Sequence, residues 1–382
     1  MNNTQPVKKK FSFAPHVVKR DTLAPGMGIL IRTVAIVGAL ILCALLAAIL
    51  MQVNPFEFVW TLIDGTVGSP RRIWKFAKGT AVLLCIALAV TPAFRMKFWN
   101  IGAEGQTLVG ALAAAAVAFY SQKILTAFSL ELESWNWLIL IFMFVAAVLA
   151  GAIWALIPAI FKAIWNTNET LFTLMMNYVA SGLVAFFLMI WTPSGSSVLG
   201  ELEAGHLPKI FNNEYILLIV AVLVLTAIIY VYLRYTKQGY EISVVGESEN
   251  TARYIGIGVG KVIIRTMIVS GAICGLAGFL IVGALDHSIT ETTVGGMGFT
   301  AIMASWLAKF NPLIMIGTSG FITLLQQGAE QISTNFNVDS SFPSMIVGIF
   351  LFFIIGCEFF INYRLKFGKM VPVNTVTKGE AK

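Results

Sequence analysis

The sequence predicts an all-α polytopic membrane protein with about ten transmembrane helices, and three observations predict it. The 382 residues are 58% hydrophobic and only 12% charged, whereas soluble domains carry about a quarter charged residues. The apolar residues gather in runs close to the roughly 20 residues that cross a bilayer as a helix. Of the 26 lysines and arginines, 20 fall at the same side of such runs once both termini are placed inside, which is the bias that orients membrane proteins.

Taken in order, the expected spans are 29–52, 79–99, 101–120, 137–161, 170–191, 214–233, 263–285, a short stretch at 296–308, 312–330 and 342–362. Residues 1–28 read as a cytoplasmic tail without a cleavable signal peptide, because Met1–Gly28 is polar and basic and the following apolar run is too long for an h-region. Residues 29–363 form the membrane domain, with its longest inside loop at 234–262, and 364–382 form a second cytoplasmic tail. Inside charges include Lys8, Lys9, Lys10, Lys19, Arg20, Arg95, Lys97, Lys162, Lys309, Arg364, Lys366, Lys369, Lys378 and Lys382. Arg71, Arg72, Lys75 and Lys78 dissent: they fall in the first outside loop, where Phe56, Phe58, Trp60, Trp74 and Phe76 point to an amphipathic segment lying in the interface. The net charge of +7 follows from this topology. Scattered over many loops, the basic residues offer no patch for nucleic acid.

The 296–308 stretch, about 20 Å long as a helix, is shorter than the hydrocarbon layer of about 30 Å. It predicts a broken helix entered through Gly295, Gly296, Met297 and Gly298. Spans two to five and seven to ten would then run as inverted repeats, each with a glycine-bearing second member, starting at Asn100 in one and near Gly296 in the other. Interrupted segments at matching positions of inverted repeats point to a translocation path.

Four polar constellations stand against this apolar background. In Asn100-Ile101-Gly102-Ala103-Glu104-Gly105-Gln106, Glu104 lies one turn into a helix whose positive end tolerates a carboxylate. It either caps that helix and pairs with Arg95 or Lys97, or lines a path together with Asn100 and Gln106. In Asn168 to Tyr178, Thr170, Thr173 and Asn177 recur at helical spacing and share one face, which serves interhelical bonding or a substrate path. Gly246 to Ile257 is a charged inside segment between glycine breaks, expected as one short helix with Glu247 and Arg253 toward its two ends and Tyr254 and Ile255 as apolar contacts, closing at Gly256. It is a solvated loop helix or a docking element. Leu325 to Glu330 places polar groups at the outer end of span nine, as an interfacial helix end would.

Catalytic chemistry is not in view. The three histidines, His16, His206 and His287, lie in tails or outside loops. Cys43, Cys85, Cys274 and Cys357 sit inside apolar runs without metal-ligand spacing and read as small buried hydrophobes. No phosphate-binding loop occurs, Gly260-Lys261 being followed by Val262, and Gly296-x-Gly298-x-x-Ala301 lacks the preceding strand of a dinucleotide site. No cofactor or metal is expected. An ion-coupled carrier would need a carboxylate buried at mid-span, and Glu104, Glu330 and Glu358 all fall near span ends.

The strings at Asn100–Gln106, Asn168–Tyr178, Gly246–Ile257 and Gly296–Phe299, the last followed by Asn311-Pro312, resemble those of membrane permease subunits of bacterial ABC importers in the branched-chain amino acid and sugar superfamily. The nucleoside-uptake branch is the nearest, since ribose-type relatives carry a Phe-Asp-Leu-Ser-like string in place of Asn-Ile-Gly-Ala-Glu. The resemblance covers about residues 30 to 365. It departs at Ser248, Glu249 and Asn250, which replace Asn-Pro-Glu, at Thr300 in place of Asp, and at Ser305-Trp306 in place of Ala-Leu. It implies a permease for nucleosides in the bacterial cell membrane, with sugars or branched-chain amino acids as the alternative. It also implies a second, homologous permease chain, a cytoplasmic ATP-binding subunit that hydrolyses ATP on its behalf, and an extracellular substrate-binding lipoprotein. Asn100, Glu104, Gln106, Thr170, Thr173, Asn177, Thr300 and Ser305 become translocation-path candidates, and Gly246, Glu247, Arg253, Tyr254 and Gly256 the contact with the ATPase.

Overall fold

The structure, a computed structural model, describes residues 15–19, 25–192, 198–210, 213, 215–339 and 341–367. Most of the two expected tails, including Lys8, Lys9, Lys10, Arg20, Lys369, Lys378 and Lys382, and part of the loop after span five lie outside the described residues. The elements in order are β1 (Pro15–Lys19), α1 (Pro25–Met51), α2 (Pro55–Val67), α3 (Pro70–Arg95), α4 (Ala103–Ala127), α5 (Leu132–Trp165), α6 (Glu169–Trp191), α7 (Ile216–Tyr235), α8 (Lys237–Glu247), α9 (Glu249–Tyr254), α10 (Val259–Ile281) with a π-helical turn at Val282–Asp286, α11 (Met297–Leu307), α12 (Pro312–Asn335), α13 (Phe342–Asn362) and β2 (Tyr363–Phe367).

Among the described residues, eight helices are long and apolar enough to cross a membrane: α1, α3 to α7, α10 and α13. Of the two remaining expected spans, α11 is short, as anticipated, and α12 has the length but lies outside that set. Thr318, Ser319, Thr323, Gln326, Gln327 and Glu330 make it too polar. Span two differs from expectation. Ser69 accepts a hydrogen bond from the Arg72 N–H with Pro70 at the first helical position, a strong start signal, so α3 begins nine residues before 79. Arg71, Arg72, Lys75 and Lys78 therefore ride on a membrane helix, and the amphipathic segment shrinks to α2.

The chain divides into two compact units, Met1–Pro55 with Gly348–Lys382, and Phe56–Val347. In the first, β1 and β2 pair antiparallel, Val17 opposite Leu365. This short ribbon is an addition to an architecture that is otherwise helical, as expected. Tyr363, Leu365 and Phe367 alternate with Arg364 and Lys366, the period of a strand. Arg32 donates to the Glu358 carboxylate between α1 and α13, so each charge has a partner at membrane depth.

The second unit is built around α10 and α3, whose apolar windows are 72% and 56% buried against 39% or less for the other six spans. The first helix of each expected repeat packs on the second and third helices of the other: α3 on α11 and α12, α10 on α4 and α5. Close approach makes the α5–α10 contact possible. A Cβ added at Gly275 would fall on the Ala147 carbonyl oxygen and one at Gly271 on that of Gly151, which is small-residue packing of membrane helices. Cys43, Cys85, Cys274 and Cys357 are free and buried.

Candidate translocation site

The helix α3 ends at Arg95, and Met96–Gly102 crosses to α4 without regular structure, with Lys97 at φ 60°. This crossing carries the polar string. Turns off the end of α3 satisfy part of its backbone, Met96, Lys97 and Phe98 donating to carbonyls of Pro92 to Phe94, and side chains serve the rest. Asn177 of α6 accepts from the Gly105 N–H at 2.9 Å and donates to the Ile101 carbonyl at 3.0 Å. One turn earlier, Thr173 accepts from the Ile101 N–H at 3.2 Å. Asn100 and Gln106 exchange amide bonds at 3.1 and 3.2 Å, and Asn100 also takes the Gly102 N–H at 3.1 Å and meets the Ser270 hydroxyl at 3.3 Å. Asn100, Gln106, Thr173 and Asn177 are buried.

Glu104 points the other way, to the start of the broken helix. Its two carboxylate oxygens accept from the Gly296 N–H at 2.8 Å and the Gly298 N–H at 2.7 Å. The positive end of α11 is thus closed by a carboxylate from α4, and the expected pairing of Glu104 with Arg95 or Lys97 is replaced by this bond. Arg95 instead reaches Ser243 at 3.4 Å. Gly298 admits the approach, since a Cβ there would lie 2.7 Å from Glu104 Cα. Gly296 supplies φ 79° at the cap, a conformation that costs a residue with a Cβ.

The contact also fixes depth. Ser270 lies eleven residues into the 28-residue apolar stretch Val259–Asp286, about 16 Å along it. Asn100 and Glu104 therefore stand well inside the bundle, although each is close to a helix end in sequence. The expectation that carboxylates near span ends are shallow fails for Glu104, because the α3–α4 crossing and the α11 start both lie at membrane depth. Non-helical backbone is tolerated there only when buried in protein or lining a cavity.

The remaining path candidates scatter along α11 and α6. The Thr300 hydroxyl donates to the Gly296 carbonyl at 3.2 Å. Ser305 shares a 2.9 Å bond with Thr91 of α3 and is fully buried. Thr170 is half-buried at the first turn of α6, its N–H donating to Asn168 at 3.1 Å. The structure thus brings Asn100, Glu104, Gln106, Thr173 and Asn177 together and leaves Thr170 and Ser305 apart. Asn168 and Asn311 cap α6 and α12. In the fourth constellation, Gln327 donates to the Gly65 and Arg72 carbonyls at 3.0 Å each, tying α12 to α2 and α3, while Glu330 pairs with Lys75 at 2.8 Å.

The segment expected inside, Gly246 to Ile257, falls on two helices rather than one. Glu247 ends α8, and Ser248 breaks the chain and caps α9 by accepting from the Thr251 N–H at 3.2 Å. Arg253 pairs with Glu249 at 3.6 Å on α9. Gly246 is buried against the Arg95 carbonyl and Gly256 turns the chain at φ 84°. Tyr254 is 92% exposed, with Ile255 exposed beside it.

Sequence reasoning missed Ser270 and Thr91, whose partners are remote in the chain and leave no local signal. It also passed over an aromatic set. Trp99 lies 5.4 Å from Trp306 and 5.6 Å from Phe94, and Phe94 stacks on Phe310 at 6.2 Å. The departure at Trp306 was its one visible sign.

A helical membrane protein with a half-length helix docked at mid-depth on a non-helical crossing has the build of a transport subunit. The family profile described as branched-chain amino acid transport system / permease component matches residues 73–355, and the chain belongs to this family. It is a multi-pass protein of the cell membrane. It is 28% identical over 336 residues to the glucose ABC transporter permease protein TsgB13 of Haloferax volcanii, covering 84% of this chain and 85% of that one. To the guanosine ABC transporter permease protein NupP of Bacillus subtilis it is 27% identical over 340 residues, with 86% and 93% covered. To the nucleoside ABC transporter permease protein NupB of Lactococcus lactis it is 24% identical over 358 residues, with 89% and 95% covered. Both of the latter organisms contribute a second matching permease, NupQ and NupC. No solved structure gives a significant match.

Proposed function

We propose that the chain is the permease subunit of an ATP-driven importer of nucleosides, and that the junction of the α3–α4 crossing with α11 borders the translocation path. The observation that carries the reading is the Glu104 carboxylate seated on the α11 N-terminus. A half-helix start at mid-depth is where carriers hold an anionic substrate group. Here its N–H groups are already taken by the Glu104 side chain, which leaves no place for the carboxylate of a branched-chain amino acid and suits neutral solutes. Relatives named for guanosine and nucleosides support the choice among neutral solutes. The glucose relative favours sugar as the second reading.

Paired permeases in two relatives' organisms support a second, different permease chain as partner. ATP hydrolysis belongs to a separate cytoplasmic subunit that docks on α8 and α9, and delivery to an extracellular binding lipoprotein. Both termini then lie inside, in keeping with the ribbon that joins 15–19 to 363–367. The test is uptake of labelled guanosine by cells carrying the complete importer, with uridine, glucose and leucine as competitors. Guanosine and uridine are expected to compete and leucine not to. Competition by glucose alone would move the reading to sugars, and competition by leucine would end it.

A further inference from the structure

Five polar side chains at the junction are already satisfied by the protein. Asn100, Gln106, Thr173, Asn177 and Glu104 all spend their bonds on backbone, on one another or on Ser270, and four of the five are buried. They are scaffold, and a substrate beside them gains little from them. What the same two elements leave exposed includes two indoles, as well as Lys97, Phe299 and Met303. Trp99, on the crossing, and Trp306, on α11, are 43% and 44% exposed, and their rings stand 5.4 Å apart at 55°.

The Trp99 ring is held from behind, and Trp306 packs against it. Buried Phe94 meets the Trp99 ring edge-on at 78° and stacks on Phe310. Phe310 is brought under α3 by two successive residues with positive φ, Lys309 at 52° and Phe310 at 57°. Such backbone is costly for residues with a Cβ, and here it supports the aromatic set. Tilted against each other and partly exposed, the two indoles present aromatic faces rather than a closed slot, and aromatic side chains bind bases through the π-face that every base has. A lipid-facing or subunit-facing role would need no such support from two broken elements joined at their start by Glu104.

We infer that Trp99 and Trp306 form a stacking surface for the planar base of the transported molecule, making Trp306 a specificity-determining residue of the permease itself. The inference rests on the nucleoside reading above. It implies that the path selects heteroaromatic solutes by their ring, whatever selection the binding protein adds, and accepts purines and pyrimidines alike.

The test measures uptake of labelled guanosine and labelled D-ribose by the complete importer carrying wild-type chain, Trp306→Leu, Trp306→Phe or Trp99→Leu. Leu is the residue of the resembled permease string at 306, so folding is expected to survive. Subsaturating guanosine uptake is expected to fall about tenfold in both Leu variants, and to stay within about twofold in Trp306→Phe, which keeps an aromatic face. Membrane abundance and recovery of the partner permease are expected to be unchanged. If wild type imports guanosine and Trp306→Leu does so equally well, the stacking surface is overturned while the nucleoside reading stands. If wild type imports ribose and no guanosine, the nucleoside reading falls and the stacking surface with it. Loss of membrane insertion or of the partner permease in Trp306→Leu and Trp306→Phe alike would assign the pair to packing and overturn the inference too.

Discussion

Glu104 shows how one residue can join two broken elements. Removing its carboxylate leaves the Gly296 and Gly298 N–H groups without partners, and an unpaired buried donor costs about 1–3 kcal/mol. Glu104→Ala is therefore expected to lower the melting temperature of the detergent-purified permease and to reduce uptake at least tenfold. Glu104→Gln, which keeps one acceptor oxygen, is expected to fall between. Equal melting and equal uptake for Glu104→Ala and wild type would show that the α11 cap carries no weight. This residue was legible in the sequence as important and illegible as to its partner. Charge proximity pointed to Arg95 and Lys97, whereas the donors are backbone groups nearly two hundred positions away, and the glycines that supply them carry no charge to announce it. Thr173 and Asn177 were legible because helical spacing sets them on one face. Their targets, Ile101 and Gly105, were not, since a backbone acceptor looks the same at every position.

Among the elements, span existence was read well because hydropathy and length are strong signals in a bilayer. Span ends were read less well. The Ser69-Pro70 start carried α3 past its hydropathy boundary, and Ser248 split the inside segment that glycine breaks had bounded as one helix. The ribbon Tyr363–Phe367 was overlooked because a positive tail and an alternating strand share the same lysines and arginines. The contact of α5 with α10 yields a sharp expectation. Gly275→Leu places a side chain against the Ala147 carbonyl, whereas Gly182 has open space where a Cβ would go. Membrane-inserted protein recovered by affinity purification is expected to drop severely for Gly275→Leu and hardly at all for Gly182→Ala. Comparable recovery would mean that the helices can separate without cost. For α9, Arg253→Glu combined with Tyr254→Ala changes two exposed residues. It is expected to leave the permease pair intact and to abolish capture of the ATPase subunit, since exposed aromatics beside an arginine are common interface anchors. Full ATPase recovery would return this segment to a solvated loop.

At the scale of the larger unit, Phe56–Val347, α3 and α10 form the centre, and each packs on the second and third helices of the other expected repeat. Inverted order is an expectation from span direction, and it gave no sign that the two glycine-bearing starts meet through Glu104. A count of spans places Asn100 and Gly296 on opposite faces of the membrane. A half-length helix and a non-helical crossing allow them to touch inside it, which is how a chain with satisfied backbone can still contain a break available for movement.

The central claim, a neutral nucleoside carried by this chain at the expense of ATP hydrolysed elsewhere, is tested most directly in proteoliposomes. The purified chain, its partner permease, the ATP-binding subunit and the binding protein would be reconstituted together, and accumulation of labelled guanosine followed with and without ATP on the cytoplasmic side. The account predicts accumulation that requires ATP and all subunits, and no hydrolysis by the purified chain alone. Guanosine accumulation driven by an ion gradient without ATP, or ATP hydrolysis by the isolated chain, would contradict it.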